Sequence, residues 1–281
     1  MKKKALATFL SVCMLATVAV PTAIVSATSD AGDAGTSSNQ PTEQKAVTVT
    51  KDENSAQFDS LEDALAAAEE GSTITLNENI TVTQHAYITK GITLNGNGHS
   101  IAGVGDFSSS SNPAVVLIDT DNAVVLSNLS IIGGTSNKFP LNIYTSPNVT
   151  LNNVSVTNVF TNGGAMLVNA SSVTVTGNLS VSTTAGSWYG INVDSGVGVE
   201  STDPILTFAA GSKMTYTNTD DNSYNAEGPA AICVDKPTQY TNAIAGYEDA
   251  GLAAPTRNEK QQDLYYLAQA ADVEVSEITL N

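Results

Sequence analysis

Apolar residues in the middle of the chain recur at fixed offsets. Val124, Leu126, Leu129 and Ile131 stand at offsets 0, 2, 5 and 7, and the pattern returns 25 residues later from Val149. It returns again from Val173 with one inserted residue and from Val273, and looser versions begin at Ile74, Ile92 and Leu206. Offsets 0, 2 and 5, 7 are typical of two short strands with alternate residues inward, joined by a sharp corner.

Each unit has polar residues at the corner and a third apolar segment upstream. The corners are Ser127-Asn128, Asn152-Asn153 and Ser276-Glu277, and asparagine tolerates the left-handed backbone that such a corner needs. The upstream segments are Val116-Leu117-Ile118, Leu141-Asn142-Ile143, Ala165-Met166-Leu167 and Tyr265-Tyr266-Leu267. Three strands and three corners per coil of about 24–25 residues predict an all-β fold, a parallel β-helix. An antiparallel sandwich does not give such a sustained period.

A helical pattern precedes the first coil, near residues 59–70. Its apolar face would be formed by Leu61, Ala64, Leu65 and Ala68. Asp59 or Ser60 can cap its start, and Gly71 is expected to end it. This amphipathic capping helix would cover the open end of the coil stack.

The chain resembles the pectin-lyase-like superfamily of right-handed β-helix proteins over residues 47–281. The resemblance rests on the cap segment Phe58–Gly71 that runs into Ser72–Leu76, the phrase Ile92–Ile101, and the asparagine-cornered coils. It implies a right-handed parallel β-helix. Because the superfamily includes lyases, hydrolases, tailspikes and non-catalytic surface proteins, the resemblance does not assign an activity.

The first residues have the features of a secretory signal peptide. Lys2, Lys3 and Lys4 precede an apolar run, and Val25-Ser26-Ala27 resembles a cleavage site, so residues 1–27 are predicted to be removed. An uncleaved anchor helix is the alternative. Residues 28–46 read as a flexible polar linker and 47–281 as the β-helix domain, with an irregular insertion near 236–263. The predicted location is secreted or at the bacterial cell surface.

The chain is acidic. Its formal net charge is −17, with 11 basic and 28 acidic residues, and removal of residues 1–27 takes three lysines, giving 8 − 28 = −20. Nucleic acid is therefore a poor partner, and no membrane contact is expected after signal cleavage. The mature chain keeps one cysteine, Cys233, which is predicted to pack on a strand, so no intramolecular disulfide can form.

The sequence offers no readable catalytic set. The resemblance implies that a lyase would use calcium and an Arg or Lys base, but Arg257 is the single arginine and lies in an irregular stretch. The Gly-His-Gly and Arg-x-Lys elements of related glycosidases are missing. Asp220 and Asp221 are interpreted as part of a solvated loop, with a weak calcium site as the alternative. No other cofactor is predicted.

One strand face is the candidate binding surface. If Ile143, Leu167 and Ile191 point inward, their neighbours point outward, and the resemblance implies that this face forms a carbohydrate groove. The candidate ligand-binding residues are Asn142, Tyr144, Met166, Trp188, Asn192 and Asp194. The alternative is that the insertion after Lys236 folds back and covers them.

The leading hypothesis is a secreted or cell-surface, non-catalytic β-helix protein, an adhesin or glycan-contacting module. The expected partner is an extracellular polysaccharide or a host glycan. A carbohydrate-active enzyme, lyase or glycosidase, is the alternative, and a structural segment of a larger surface assembly is the third. The final coil ends at Ile278-Thr279-Leu280 without an evident cap, which predicts self-association through this end.

Overall fold

The computed structural model describes residues 44–108, 113–184, 186–195, 205–218 and 230–268. The described residues form an all-β fold with one short α-helix and two largely parallel sheets. The predicted all-β class is therefore confirmed. Asp220, Asp221 and the last apolar repeat from Val273 lie outside the described residues.

Thirteen described strands form the first sheet. Numbered in chain order, they are β1 (Val47–Lys51), β2 (Asn54–Phe58), β3 (Thr73–Leu76), β4 (Ile80–Val82), β6 (Thr93–Asn95), β7 (Ser100–Gly103), β9 (Val124–Ile132), β11 (Val149–Thr157), β13 (Val173–Val175), β14 (Asn178–Thr183), β16 (Leu206–Phe208), β17 (Lys213–Asn218) and β19 (Ile244–Ala245). Their pairing is parallel except at the N-terminal end, where β1 runs antiparallel to both β2 and β3.

Eight described strands form the second sheet, which begins at β5 and ends at an antiparallel hairpin. They are β5 (Ala86–Ile88), β8 (Val116–Ile118), β10 (Leu141–Tyr144), β12 (Gly164–Asn169), β15 (Tyr189–Ser195), β18 (Ala230–Val234), β20 (Thr256–Arg257) and β21 (Asp263–Tyr265). The helix α1 spans Leu61–Ala67, and a short 3-10 helix spans Pro237–Gln239. No described helix is long and apolar enough to cross a membrane.

The repeat seen in the sequence sets the strand register. Val124 pairs with Val149, and Val149 pairs with Val173, as the 24–25-residue period predicts. Burial follows the same order, because residues at equivalent positions of successive strands stack into continuous core rows. One such row, almost fully buried, is Ile74, Leu94, Leu126, Leu151, Val175 and Phe208.

The asparagine corners adopt the backbone that the sequence predicts. Asn128 and Asn153 have φ angles of 48° and 54°, in the left-handed region. Their side chains also connect successive strands, since Asn153 Nδ2 donates to Asn128 Oδ1 at 3.4 Å and the Asn178 backbone N–H donates to Asn153 Oδ1 at 3.1 Å. Gly177 meets this corner so closely that a Cβ there would lie 2.4 Å from Asn152 Oδ1.

A second corner is held by buried serines. Ser146 and Ser171 are fully buried, and each follows a residue with positive φ, Thr145 or Ala170. The Ser146 backbone N–H donates to Ser171 Oγ at 3.0 Å, and the Thr120 N–H donates to Ser146 Oγ at the same distance. These hydroxyls satisfy backbone groups that would otherwise be buried without partners.

Helix α1 is shorter than the sequence pattern indicates. Ser60 is its N-cap and accepts a hydrogen bond from the Asp63 N–H at 3.1 Å, while Leu61 and Ala64 are buried. The helix ends at Ala67, before the expected stop at Gly71. Lys90 Nζ donates to the carbonyl oxygens of Ala66 and Ala68, and so satisfies acceptors at this end.

Three segments differ from what the sequence predicts. Ala46, assigned to the linker, is 8% exposed, so ordered packing begins before residue 47. The segment at Tyr265 was expected to begin another parallel coil, but β21 runs antiparallel to β18. Ile244–Ala245, inside the expected irregular insertion, instead extends the first sheet in parallel with β16.

Candidate functional site

One row of side chains crosses the second sheet between the core rows. Strand pairing aligns Tyr87, Leu117, Asn142, Leu167, Asn192 and Cys233. Tyr87 is 44% exposed, whereas Cys233 is fully buried, as predicted for a packed strand residue. The row is therefore open near β5 and covered near β18.

The most exposed part of this face is a tyrosine patch, formed by Tyr87, Asp119, Tyr144 and Thr145. Tyr87 Oη donates to Asp119 Oδ2 at 3.1 Å, and Thr145 Oγ1 donates to Asp119 Oδ1. Tyr144 is 38% exposed and directly follows the β10 residues paired with β8. Because β8 lies between β5 and β10, the patch has an exposed tyrosine on the strand at each side of Asp119, whose carboxylate accepts from two hydroxyls.

The Tyr87 ring also has an aromatic neighbour, His85. The His85 ring packs edge-on against it, with centroids 5.5 Å apart. Desolvation and the neighbouring Asp119 carboxylate raise the pKa of Tyr87, so it stays a neutral donor across the physiological range. Desolvation also lowers the pKa of His85, which favours its neutral form.

Such an arrangement suits a polyhydroxylated ligand. Exposed aromatic rings offer flat apolar surface to sugar C–H groups. The Asp119 carboxylate has acceptor capacity left after two hydrogen bonds and can accept from a ligand hydroxyl. The patch has the chemical groups of a binding surface.

Among the predicted ligand-binding residues, the outward position assigned to Met166 is wrong. Met166 is fully buried and pairs with Leu141 and Ile191, so it belongs to the core. Leu167, expected to point inward, is half-buried and occupies the outer row beside Asn142. The repeat shortens from 25 to 24 residues between Val149 and Val173. Ser146 and Ser171 still lie 25 residues apart, so the residue is lost after β12, between Ser171 and Val173. Residues of β10 therefore pair with residues 25 positions later in β12, not 24.

Trp188 lies away from the tyrosine patch, in a cation–aromatic cluster. Lys138 Nζ sits 4.4 Å from the Trp188 ring centroid, and the Phe139 ring packs edge-on at 6.4 Å. The ammonium therefore covers one face of the indole ring. Trp188 directly precedes β15, whereas Tyr144 aligns through Asn169 with Ser195 at the end of β15, so the structure does not bring Trp188 together with Tyr144.

Asn192 and Asp194 lie on β15, close to polar side chains that follow β18. Asn192 Nδ2 donates to Asp235 Oδ2 at 3.2 Å, and Asp194 Oδ1 lies 4.0 Å from Lys236 Nζ. Asn142, in the same row but two strands nearer the patch, is only 4% exposed. These residues share the sheet face with Tyr144, but their side chains are engaged within the protein.

A metal site stays a prediction. Asp220 and Asp221, the candidate calcium ligands, are outside the described residues. Within the described ranges, no group of three or more His, Cys, Asp or Glu side chains converges in a way that could hold a metal ion.

Comparison with known proteins adds no relative. No family model matches the chain, and neither a curated protein nor a solved structure matches it.

Sequence reasoning missed Tyr87, Asp119 and Thr145. The signal was the apolar spacing of Ala86 and Ile88, which marks a strand just before the looser repeat at Ile92 and places Tyr87 between two core residues. Asp119 directly follows β8, as Tyr144 ends β10. Once these strands are aligned, the three residues fall on neighbouring rungs.

Proposed function

We propose that this chain is an exported, non-catalytic protein that contacts glycans through the tyrosine patch on its second sheet. The observation that carries the proposal is the pairing of two exposed tyrosines, Tyr87 and Tyr144, around the hydroxyl-bound carboxylate of Asp119. Aromatic rings combined with a fixed acceptor match the alternating apolar and polar surfaces of a sugar.

The fold that we infer for this function is a right-handed parallel β-helix of the pectin-lyase-like type. Its support is the regular parallel register of both sheets and the stacked core rows that follow the sequence repeat. Repeated coils give a long, rigid face on which equivalent side chains recur about 4.8 Å apart. A rigid face of this kind holds the patch residues in place before a ligand arrives.

The inferred location is the bacterial cell surface or the extracellular medium. Its support is the basic start and apolar run of residues 1–27, which have the form of a secretory signal. An extracellular polysaccharide or a host glycan is the partner that this location supplies. The high negative charge favours neutral or amino-substituted glycans over uronate polymers.

A glycan array followed by calorimetric titration tests the proposal. Tyr144→Ala and Tyr87→Ala should each weaken binding of the glycan found by about tenfold, the size of a contact worth more than 1 kcal/mol. Ile132→Ala is the matched control. Ile132 is 37% exposed, nearly the same fraction as the 38% of Tyr144, but it lies on the first sheet.

Two results would contradict the proposal. The first is that the chain binds no glycan on the array. The second is that it binds a glycan but both tyrosine variants bind it as well as the parent does. Reducing-sugar and unsaturated-product assays, with and without calcium, test the non-catalytic part, and turnover of any polymer would overturn it.

A further inference from the structure

A cavity of about 630 Å³ lies at the N-terminal end of the strand stack, beside α1, β4 and β5. Its apolar lining includes Leu65 and Ala66 from α1, Val82 from β4 and Ala86 from β5. This volume is within the range of sites that bind ligands. Tyr87 also lines the cavity, so the cavity adjoins the tyrosine patch without coinciding with it.

One wall of the cavity is the edge of the second sheet. Within the described residues, β5 is the terminal strand and pairs only with β8. The Ala86 N–H donates to the Val115 carbonyl at 2.8 Å, and the Ile88 carbonyl accepts from the Asp119 N–H at 3.0 Å.

The other backbone groups of β5 face the cavity. Bonded residues alternate along a parallel strand, so Tyr87 and Thr89 direct their N–H and C=O groups away from β8. Both residues line the cavity. In the first sheet, the edge of β3 at this end is covered by β1. The groove between β5 and α1 thus offers backbone donors and acceptors on one side and an apolar helix surface on the other.

The charge of the cavity rim is negative. Glu62 and Glu78 line it, are exposed, and form no ion pair with any described residue. Lys90 also lines the cavity, but its ammonium group donates hydrogen bonds to carbonyl oxygens at the end of α1. Asp59 already pairs with Lys45 at 2.7 Å. A basic side chain in the groove would therefore be favoured and an acidic one repelled.

We propose that this groove binds an extended, basic peptide segment of a partner protein, which adds to β5 as a further strand. The peptide backbone pairs with Tyr87 and Thr89, an apolar side chain packs against Leu65 and Val82, and a Lys or Arg lies near the rim carboxylates. This is strand addition at an open sheet edge, in which backbone bonds give affinity and flanking pockets give selectivity. The proposal does not depend on glycan binding by the tyrosine patch.

The probe is a capped heptapeptide that alternates valine with lysine and threonine, measured by fluorescence polarisation against the full chain. Binding should saturate and should weaken as salt is raised, because the rim attraction is screened. Two control peptides are needed: one with glutamate in place of lysine, and one N-methylated along a single backbone edge. Both should bind at least roughly tenfold more weakly, through repulsion in the first and lost backbone bonds in the second.

Two pairs of variants locate the binding. Thr89→Pro removes the backbone donor that faces the cavity, and Thr89→Ala keeps it. Ala66→Trp fills the cavity from α1, whereas Ala67→Trp adds the same bulk at an exposed position of that helix outside the cavity lining. Peptide affinity should fall roughly tenfold in Thr89→Pro and Ala66→Trp and stay within about twofold in the two controls.

Several outcomes would overturn the proposal. They are absence of peptide binding, equal binding of the N-methylated peptide, or an Ala66→Trp variant that binds as the parent does. Neutral oligosaccharide binding that is lost in Ala66→Trp but kept in Thr89→Pro would show a sugar site instead. If circular dichroism shows that Thr89→Pro is unfolded, the Ala66→Trp and Ala67→Trp pair decides. Tyr144→Ala changes the patch at a residue outside the cavity lining and should spare peptide binding, which separates this site from the patch.

Discussion

The two ends of the second sheet differ in whether the last parallel strand is covered by another strand. At the C-terminal end, β18 is covered by the antiparallel β21, and Leu264 packs with Tyr189 and Cys233, all nearly inaccessible to solvent. At the N-terminal end, β5 keeps an open edge beside a cavity, and Tyr87 is exposed. The antiparallel strand β21 therefore occupies the edge of β18, whereas the backbone groups at the edge of β5 are left available to pair with a ligand.

Polar contacts hold the closing hairpin against the sheet. Gln262 Nε2 donates to Asp235 Oδ1, and Tyr189 Oη donates to Gln262 Oε1 at 3.3 Å. Within the hairpin, Arg257 Nε and Nη2 donate to the two carboxylate oxygens of Asp263 at 2.7 and 2.9 Å. The open end has no comparable set of contacts across β5 among the described residues.

The largest effect on stability is expected when the apolar contact under the hairpin is removed. Leu264→Ala should lower the free energy of unfolding by about 2–5 kcal/mol, because a buried leucine leaves a cavity. Leu267→Ala, at a residue that is 36% exposed, should change it by no more than about 0.5 kcal/mol. Urea unfolding measures both. Equal effects of the two variants would mean that the hairpin does not seal the sheet.

Alkali should weaken the closed end by a smaller amount. Burial, with smaller contributions from Asp263 and Tyr247, raises the pKa of Tyr265 to about 12, above its ordinary value of 10.0. The folded state therefore prefers the neutral phenol, so this contribution to stability is complete below pH 10 and is lost as pH rises toward 12.

Thermal melting from pH 8 to 11, roughly spanning the ordinary tyrosine pKa, checks this prediction. The parent should lose more stability with rising pH than Tyr265→Phe, which has no group to ionise. Parallel curves for the two proteins would contradict the assignment. Hydrogen exchange should show the β18–β21 amides opening first.

The smallest effect is expected from the hairpin ion pair. Arg257→Ala should lower the free energy of unfolding least of the three variants, because the Arg257 side chain is 41% exposed and water screens the pair. The loss should shrink in high salt. A loss as large as that of Leu264→Ala would show that the pair, and not the apolar cluster, closes this end.

The repeat made much of the fold predictable, but the register of single strands was harder. Asn128 and Asn153 could be placed because their corners need left-handed backbone, which few residues tolerate. Met166 was misplaced because a period of 24 does not say where the missing residue falls. On a strand, a shift of one residue exchanges the inner and outer faces.

The sequence alone determined the all-β class, the stacking of Val124, Val149 and Val173, and the acidic surface, because strand periodicity and charge are local properties of the chain. The folded structure was needed to show which tyrosine meets a carboxylate, which side chains the hairpin covers and that the β5 edge stays open. Those features depend on contacts between residues far apart in sequence, such as Tyr87 with Asp119 and Tyr189 with Gln262. No repeat or composition records such pairs.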